Sequence, residues 1–180
     1  MNSIDSAILY FFNRTIKCPF LDVFFGQVSN LDMWAVVILI FILVRYFQEK
    51  ALKYPLPALI VTWFTSDATS DFLKNLFHRP RPGGTLPWVT VMETTFSYSL
   101  PSGHAVVSMV YAVILSWYYP KFSFAFYAIA GLIGLSRIYL GVHYLTDVLM
   151  GFIIGGALGY LILKLQEILV KNFKARESLE

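Results

Sequence analysis

The sequence predicts an all-α integral membrane protein: a bundle of five transmembrane helices, or six if the N-terminal segment also spans, preceded by N-terminal interfacial helices. Three observations predict it. Hydrophobic residues make up 57% of the chain and charged residues 14%, with a mean hydropathy of +0.63, which lies outside the range of soluble domains. Apolar runs of membrane-crossing length recur between polar links. Tryptophan and tyrosine gather at the ends of those runs, where an amphipathic ring is best accommodated. At 180 residues the chain holds one membrane domain, divided into 1–30, a bundle over 31–169 and a polar tail over 170–180. The formal charge of +3 is dispersed among apolar runs and argues against a nucleic-acid partner. No protein partner is implied, and a single cysteine, Cys18, excludes an internal disulfide.

In residues 1–30, Asp5, Arg14, Lys17, Pro19 and Asp22 interrupt every apolar cluster, so two short amphipathic helices in the membrane interface are expected rather than a span. No basic segment precedes the short apolar run at Ile8, so the first full span is expected to direct insertion. That span is 31–47, closed by Arg45, Tyr46 and Phe47 as anchors. A polar link over 48–54 follows. The second span, 56–73, begins apolar and ends polar, with Asp67 and Asp71 before Lys74. A charge at membrane depth costs about 2.5–3.5 kcal/mol on insertion scales, so these carboxylates are expected to face the bundle interior or a wet cavity. Residues 75–100 form a long loop rich in Pro, Gly and Thr, and loops of that length are usually functional or disordered.

The third span, 105–119, ends in an aromatic belt and a turn at Pro120, the fourth returns over 122–140, and the fifth runs over 145–169. Gly151, Gly155 and Gly159 recur every four residues, a stripe that lets a neighbouring helix approach closely. Five spans put the long loop and the 137–143 link on one side. The other side collects Arg45, Lys50, Lys53, Lys121, Lys164, Lys171, Lys174 and Arg176, eight of the fourteen basic residues. By the positive-inside rule the loop side faces away from the cytoplasm, and the C-terminus is cytoplasmic.

The side facing away holds the residues that carry chemistry. Pro101-Ser102-Gly103-His104 opens a helix with free N–H groups at its positive end, a ready anion site; an ordinary capped helix start is the alternative. His143 and Asp147 lie four residues apart on one helical face, where a carboxylate can accept the imidazole N–H and fix its tautomer, or form a structural pair. Lys74, Arg81 and Arg137 arrive from separate segments. Arginine's planar fork suits phosphate oxygens and lysine adds a point charge, although each taken singly could snorkel to lipid headgroups. His78 and Arg79 are expected at the surface or on headgroups, and Asp71 is expected to pair with Lys74 or Arg137.

Together these segments resemble the type-2 phosphatidic acid phosphatase superfamily, whose signature is K-x6-R-P, then P-S-G-H, then S-R-x5-H-x3-D. Lys74-x6-Arg81-Pro82, Pro101 to His104, and Ser136-Arg137-x5-His143-x3-Asp147 match all three parts in order. The match covers about two-fifths of the chain. The resemblance implies a phosphatase needing neither metal nor cofactor, acting on a lipid phosphate or pyrophosphate held in the bilayer. His143 would attack phosphorus, Asp147 would orient its ring, and His104 would protonate the leaving oxygen and then activate water. Lys74, Arg81, Arg137, Ser102 and the Gly103 amide would hold the phosphate oxygens. Bacterial family members act on lipid A 1-phosphate, undecaprenyl pyrophosphate, phosphatidylglycerophosphate or phosphatidate. The first two are favoured here, because both are presented outside the cytoplasm of a bacterial inner membrane. A lipid phosphotransferase and a non-enzymatic anion or lipid transporter are the alternatives.

Overall fold

A computed structural model describes residues 3–49, 55–94 and 96–177. The described chain is helical throughout its regular structure. Helix α1 (Ser3–Tyr10) runs into a π-helical turn (Phe11–Thr15), and α2 (Pro19–Val28) begins on a proline, whose fixed φ and missing N–H suit a first helical position. Then follow α3 (Leu31–Glu49), α4 (Pro55–Phe77), the single turn α5 (Pro82–Thr85), α6 (Gly103–Tyr118), α7 (Ser123–Tyr139) and α8 (Leu145–Glu177). The five expected spans thus coincide with α3, α4, α6, α7 and α8, with α4 and α8 running further than their apolar runs. Most of the 48–54 link lies outside the described residues.

Two segments, Pro120–Tyr139 and Leu145–Asn172, are long and apolar enough to cross a membrane unaided. The pair Pro19–Val28 and Leu31–Phe47, bent by 56° between them, passes as a third if taken as one span. Helix α4 carries Asp67, Asp71 and Lys74, and α6 is only 16 residues long. These two depend on their neighbours more than on their own apolarity.

Helix α6 is the axis of the bundle, packed against α4, α7 and α8. Val106, Val110 and Ile114 on it are fully buried against Ile42, Leu59 and Ile162. The α6–α8 contact is where the glycine stripe acts. A Cβ on Gly151 would sit 2.8 Å from Ser102 O, one on Gly155 would sit 2.5 Å from Val106 O, and one on Gly159 would sit 3.0 Å from Val113 Cβ. Backbone-to-backbone approach of this kind needs the missing side chains.

One expectation is corrected. Asp67 and Asp71 do not face the bundle interior: both are exposed. The buried face of α4 belongs instead to Thr62, Ser66 and Ser70, spaced at four residues. Thr62 and Ser70 can be buried cheaply because their hydroxyls bond back to Ala58 O and Ser66 O, both at 2.8 Å, whereas Ser66 Oγ is buried with no hydrogen-bond partner among the described residues. A carboxylate has no such local partner and is turned outward. Residues 1–30 form short helices as expected, and of their polar residues Asp5, Asn13 and Ser29 are buried in the fold. Asp5 and Asn13 are fully buried, and Asn13 Nδ2 donates to Tyr139 O at 2.7 Å while its Oδ1 accepts from Thr90 N at 2.8 Å.

Candidate active site

The N-terminus of α6, the loop before α8 and the segment after α4 meet at one end of the bundle. Direct bonds tie them together. Ser102 N donates to Asp147 O at 3.1 Å, Ser99 N donates to Arg79 O at 2.8 Å, and Arg81 Nη1 donates to Val142 O at 2.9 Å. The turn into α8 needs Gly141, whose φ of +73° lies in the left-handed region and whose Cβ would meet Thr90 O at 2.7 Å.

His143 sits on the last residues of that turn, 2% exposed. Arg81 Nη1 lies 3.2 Å from its Nε2. A guanidinium can only donate, so Nε2 must accept and Nδ1 carries the proton. Nδ1 faces Asp147 Oδ2 at 3.6 Å and Ser99 Oγ at 3.5 Å. The expected direct hydrogen bond from His143 to Asp147 is therefore relaxed to a contact too long to be one. Asp147 spends its lone pairs elsewhere: Oδ2 accepts from Ser99 Oγ at 2.5 Å and Tyr144 N at 2.9 Å, and Oδ1 accepts from Arg79 Nη1 at 2.5 Å. Burial pushes the His143 imidazole down to about 4; Asp147 opposes this, and Arg81 and Arg137 reinforce it. The ring is neutral across the physiological range.

The facing wall is the start of α6. The first-turn N–H groups have no intrahelical acceptor. Ser102 Oγ is buried without a hydrogen-bond partner among the described residues. Lys74 reaches this turn: a Cβ on Gly103 would sit 3.7 Å from its Nζ, which also pairs with Asp71 Oδ1 at 3.1 Å. His104 lies close enough to Arg137, Glu93, His143 and Lys74 for their charges to act on it. It also lines an open polar cavity of about 370 Å³ with Ser29, Asn30, Asp32 and Glu93.

Arg137 is 1% exposed and is held from two sides. Its Nη1 and Nη2 donate to Glu93 Oε2 at 2.7 Å and Oε1 at 2.9 Å, and Nη1 also bonds Ser29 Oγ. Its Nε is buried and has no hydrogen-bond partner among the described residues. The fork–fork contact holds the Glu93 carboxyl below the usual carboxylate range.

All eight residues singled out from the sequence, His143, His104, Asp147, Lys74, Arg81, Ser102, Gly103 and Arg137, thus gather at this end of the bundle. Arg79 is the correction. Expected on the surface, it is drawn inward by two buried carboxylates, Asp147 and Asp5. Sequence reasoning also passed over Ser99, Glu93 and Asp5. Asp5 alone left a signal, since an aspartate in an apolar helix is seldom buried without a cation.

Residues 55–171 match the family model of the PAP2 superfamily. Lipid A 4'-phosphatase of Bacteroides thetaiotaomicron is 29% identical over 172 residues, covering 89% of this chain and 76% of that protein. Two crystal structures share the fold. A PAP2 type phosphatidylglycerolphosphate phosphatase from Bacillus subtilis superposes with a TM-score of 0.72 at 29% identity, over 92% of this chain and 85% of that one. LpxE of Aquifex aeolicus gives 0.71 at 27% identity, over 91% and 96%.

Proposed function

The chain belongs to the PAP2 superfamily and is an integral membrane phosphatase of that type, and on that premise we propose that it dephosphorylates a membrane lipid through a phosphohistidine on His143. The observation that carries this reading is the 3.2 Å contact of Arg81 Nη1 with His143 Nε2, which keeps a lone pair on Nε2 beside a cation able to hold a phosphate oxygen. In the first step Nε2 attacks phosphorus, the bond from phosphorus to the lipid oxygen breaks, and His104 gives that oxygen its proton. In the second His104 takes a proton from water, the water oxygen bonds phosphorus, and the P–N bond breaks to restore neutral His143. Asp147 answers the positive charge that the phosphorylated ring carries while Nδ1 keeps its proton.

Phosphate-monoester hydrolysis is among the slowest uncatalysed reactions, with enzymatic accelerations up to about 10²¹-fold. A dense set of donors is what it requires. Lys74, Arg81, Arg137, Ser102 Oγ and the Gly103 amide supply that set. No step calls for a metal or a cofactor.

For the substrate we favour a lipid A phosphate, as acted on by the Bacteroides relative, over undecaprenyl pyrophosphate. The cavity beside His104 mixes the apolar Leu31 with the hydroxyl, amide and two carboxylates of Ser29, Asn30, Asp32 and Glu93, and those carboxylates suit a hydroxyl-rich sugar better than a second phosphate. A neighbouring apolar cavity of about 290 Å³, which shares Leu31 with it and runs past Trp34, Phe41 and Tyr111, offers room for a lipid tail. The distribution of basic residues supports insertion in a bacterial inner membrane with the site on the periplasmic face and the C-terminus in the cytoplasm.

The test is turnover by the purified protein in detergent with EDTA, against lipid A phosphates, undecaprenyl pyrophosphate, phosphatidylglycerophosphate and phosphatidate. Release of inorganic phosphate from lipid A with EDTA present is the expected result. Loss of turnover on chelation overturns the metal-free reaction, and preference for the pyrophosphate overturns the substrate assignment. Transfer of phosphate to a second lipid instead of water marks a phosphotransferase.

A further inference from the structure

At the start of α8, two carboxylates from opposite ends of the sequence bracket one arginine. Asp5 of α1 is 1% exposed and Asp147 is 0% exposed, yet they belong to elements that share no local sequence. Asp5 Oδ1 accepts from Thr146 N at 3.0 Å and Oδ2 accepts from Thr146 Oγ1 at 2.7 Å, so a residue of α1 caps the positive end of α8. Asp147 bonds the Tyr144 N–H from within the first turn, in the manner of a capping box. Arg79 joins the two. Its Nη2 donates to Asp5 Oδ2 at 2.8 Å, and its Nη1 donates to Asp147 Oδ1 at 2.5 Å and Thr146 Oγ1 at 2.6 Å. The guanidinium lies 4.3 Å from the Tyr144 ring centroid, which fixes its plane.

We infer that Arg79, clamped by Asp5 of the N-terminal helix, is a positioning residue that sets both the orientation and the effective charge of Asp147 toward His143. The inference rests on the phosphohistidine reading. By holding Oδ1, Arg79 turns Oδ2 to face Nδ1 of the nucleophile. It also cancels much of the carboxylate charge, so that Asp147 can orient the ring without drawing a second proton onto it. Asp5 in turn tempers Arg79. The N-terminal helix is then part of the catalytic apparatus, although it touches no reacting atom.

The charge argument has a sign that a purely structural role would not produce. The groups facing His143 are Asp147 from α8, Arg81 from the segment after α4, Arg137 from α7 and His104 from α6; Lys74 and Glu93 act through His104 and Arg137. None of these residues is itself substituted in the Arg79 and Asp5 variants. In Arg79→Gln the Asp147 charge is uncompensated, protonation of His143 becomes easier, and the acid limb of kcat/KM moves up by on the order of one pH unit. In Asp5→Asn the Arg79 charge is less tempered, and the limb moves down. Arg79→Lys keeps the charge and leaves the limb at its wild-type position. Its kcat stays low, because an ammonium cannot engage Asp5, Thr146 and Asp147 in one plane.

The experiment measures kcat, KM and the acid limb for these three variants beside wild type and His143→Ala, on one lipid phosphate. The substrate's own titration is common to all and drops out of the comparison. Arg79→Gln is expected to lose about a hundredfold in kcat with KM changed little, the scale of a misplaced catalytic group. Limbs of Arg79→Gln and Asp5→Asn that coincide with wild type, or that move in one direction for both, overturn the inference. If Arg79→Gln does not fold, the downward shift in the near-isosteric Asp5→Asn carries the test alone. Turnover retained in His143→Ala would instead sink the phosphohistidine reading, whatever the limbs do.

Discussion

The two histidines stand on walls built to opposite rules. Around His143 every polar group is engaged: Arg81 on Nε2, Ser99 and Asp147 near Nδ1, and Arg79, Ser99 and Tyr144 N on the Asp147 carboxylate. Around His104 groups are left over. Ser102 Oγ and Arg137 Nε are buried without partners among the described residues, and the ring opens onto a cavity that carries two carboxylates. A nucleophile must be oriented and neutral before substrate arrives, so its environment is complete in the free protein. Donors that act on the transferring phosphoryl group gain most if their partner comes with the substrate. The difference teaches where to expect rigidity and where to expect ligand-dependent order.

Breaking each wall separately should produce different failures. His143→Ala is expected to lose at least about four orders of magnitude in kcat, as removal of a nucleophile does, and to form no phosphoenzyme. His104→Ala is expected to lose about 10²–10⁴-fold on a lipid phosphate and, given an aryl phosphate whose leaving group needs no proton, to accumulate phosphoenzyme, because attack then survives while hydrolysis does not. Protein from radiolabelled substrate, quenched in alkaline detergent because the P–N bond is acid-labile and run on a gel, distinguishes the two. Label on His143→Ala, or none on His104→Ala, would merge the walls into one role.

The spacing between the walls is set by the α6–α8 contact, which can be widened without touching either histidine. In Gly151→Ala the new methyl meets Ser102 O and Ala105 Cβ at 2.8 Å, so the two helices must part where the site begins. Overpacking of this kind costs about 1–3 kcal/mol, and the displaced α6 terminus should lower kcat more than tenfold. Gly156→Ala, with nothing within 4 Å of the added carbon, is the matched control and should behave as wild type. Thermal unfolding in detergent and kcat for the pair measure both consequences.

A milder change sharpens the contrast on the open side. Glu93 occupies the Arg137 fork that a phosphate would take, with one oxygen on each Nη. Glu93→Gln keeps the shape and removes the charge, so phosphate should compete more easily. KM and the inhibition constant of inorganic phosphate are expected to fall a few-fold together. A rise in both would mean that Glu93 helps to hold Arg137 in place rather than blocking it.

Much of this was legible in the sequence, for reasons that individual residues make plain. Helices α6, α7 and α8 begin and end where Gly103, Pro120 and the His143 turn interrupt long apolar runs, and their count brings Lys74, His104 and His143 to one end. Gly151, Gly155 and Gly159 announced a close helix contact on one face of α8, because a four-residue period admits only one face, while the identity of the partner, α6, came only with the fold. Asp67 was misread because Ser66 and Asp67 differ by about 100° on the helix, and composition does not say which of two polar neighbours points inward. Arg79 and Asp5 were missed for a different reason. Their partnership joins residues 74 positions apart and exists only once α1 folds back on α8.

The subtlest difference between the walls is in pH. His143 is held down to about 4 by burial, with Arg81 and Arg137 helping and Asp147 opposing. Because its folded value lies below the ordinary value near 6.5, the lone pair on Nε2 is available above about pH 4 and is lost only as the pH falls through that value. Between pH 5 and 8 the nucleophile should therefore contribute less than about twofold to any change in rate. Phosphoenzyme formation in His104→Ala isolates it, using an aryl phosphate whose leaving group needs no proton. The burst rate should then follow only the substrate's own titration across that range and fall below about pH 4. A decline centred near 6.5 would show His143 titrating as an exposed imidazole does. The completeness of its surroundings would then be a feature of packing without consequence for the proton.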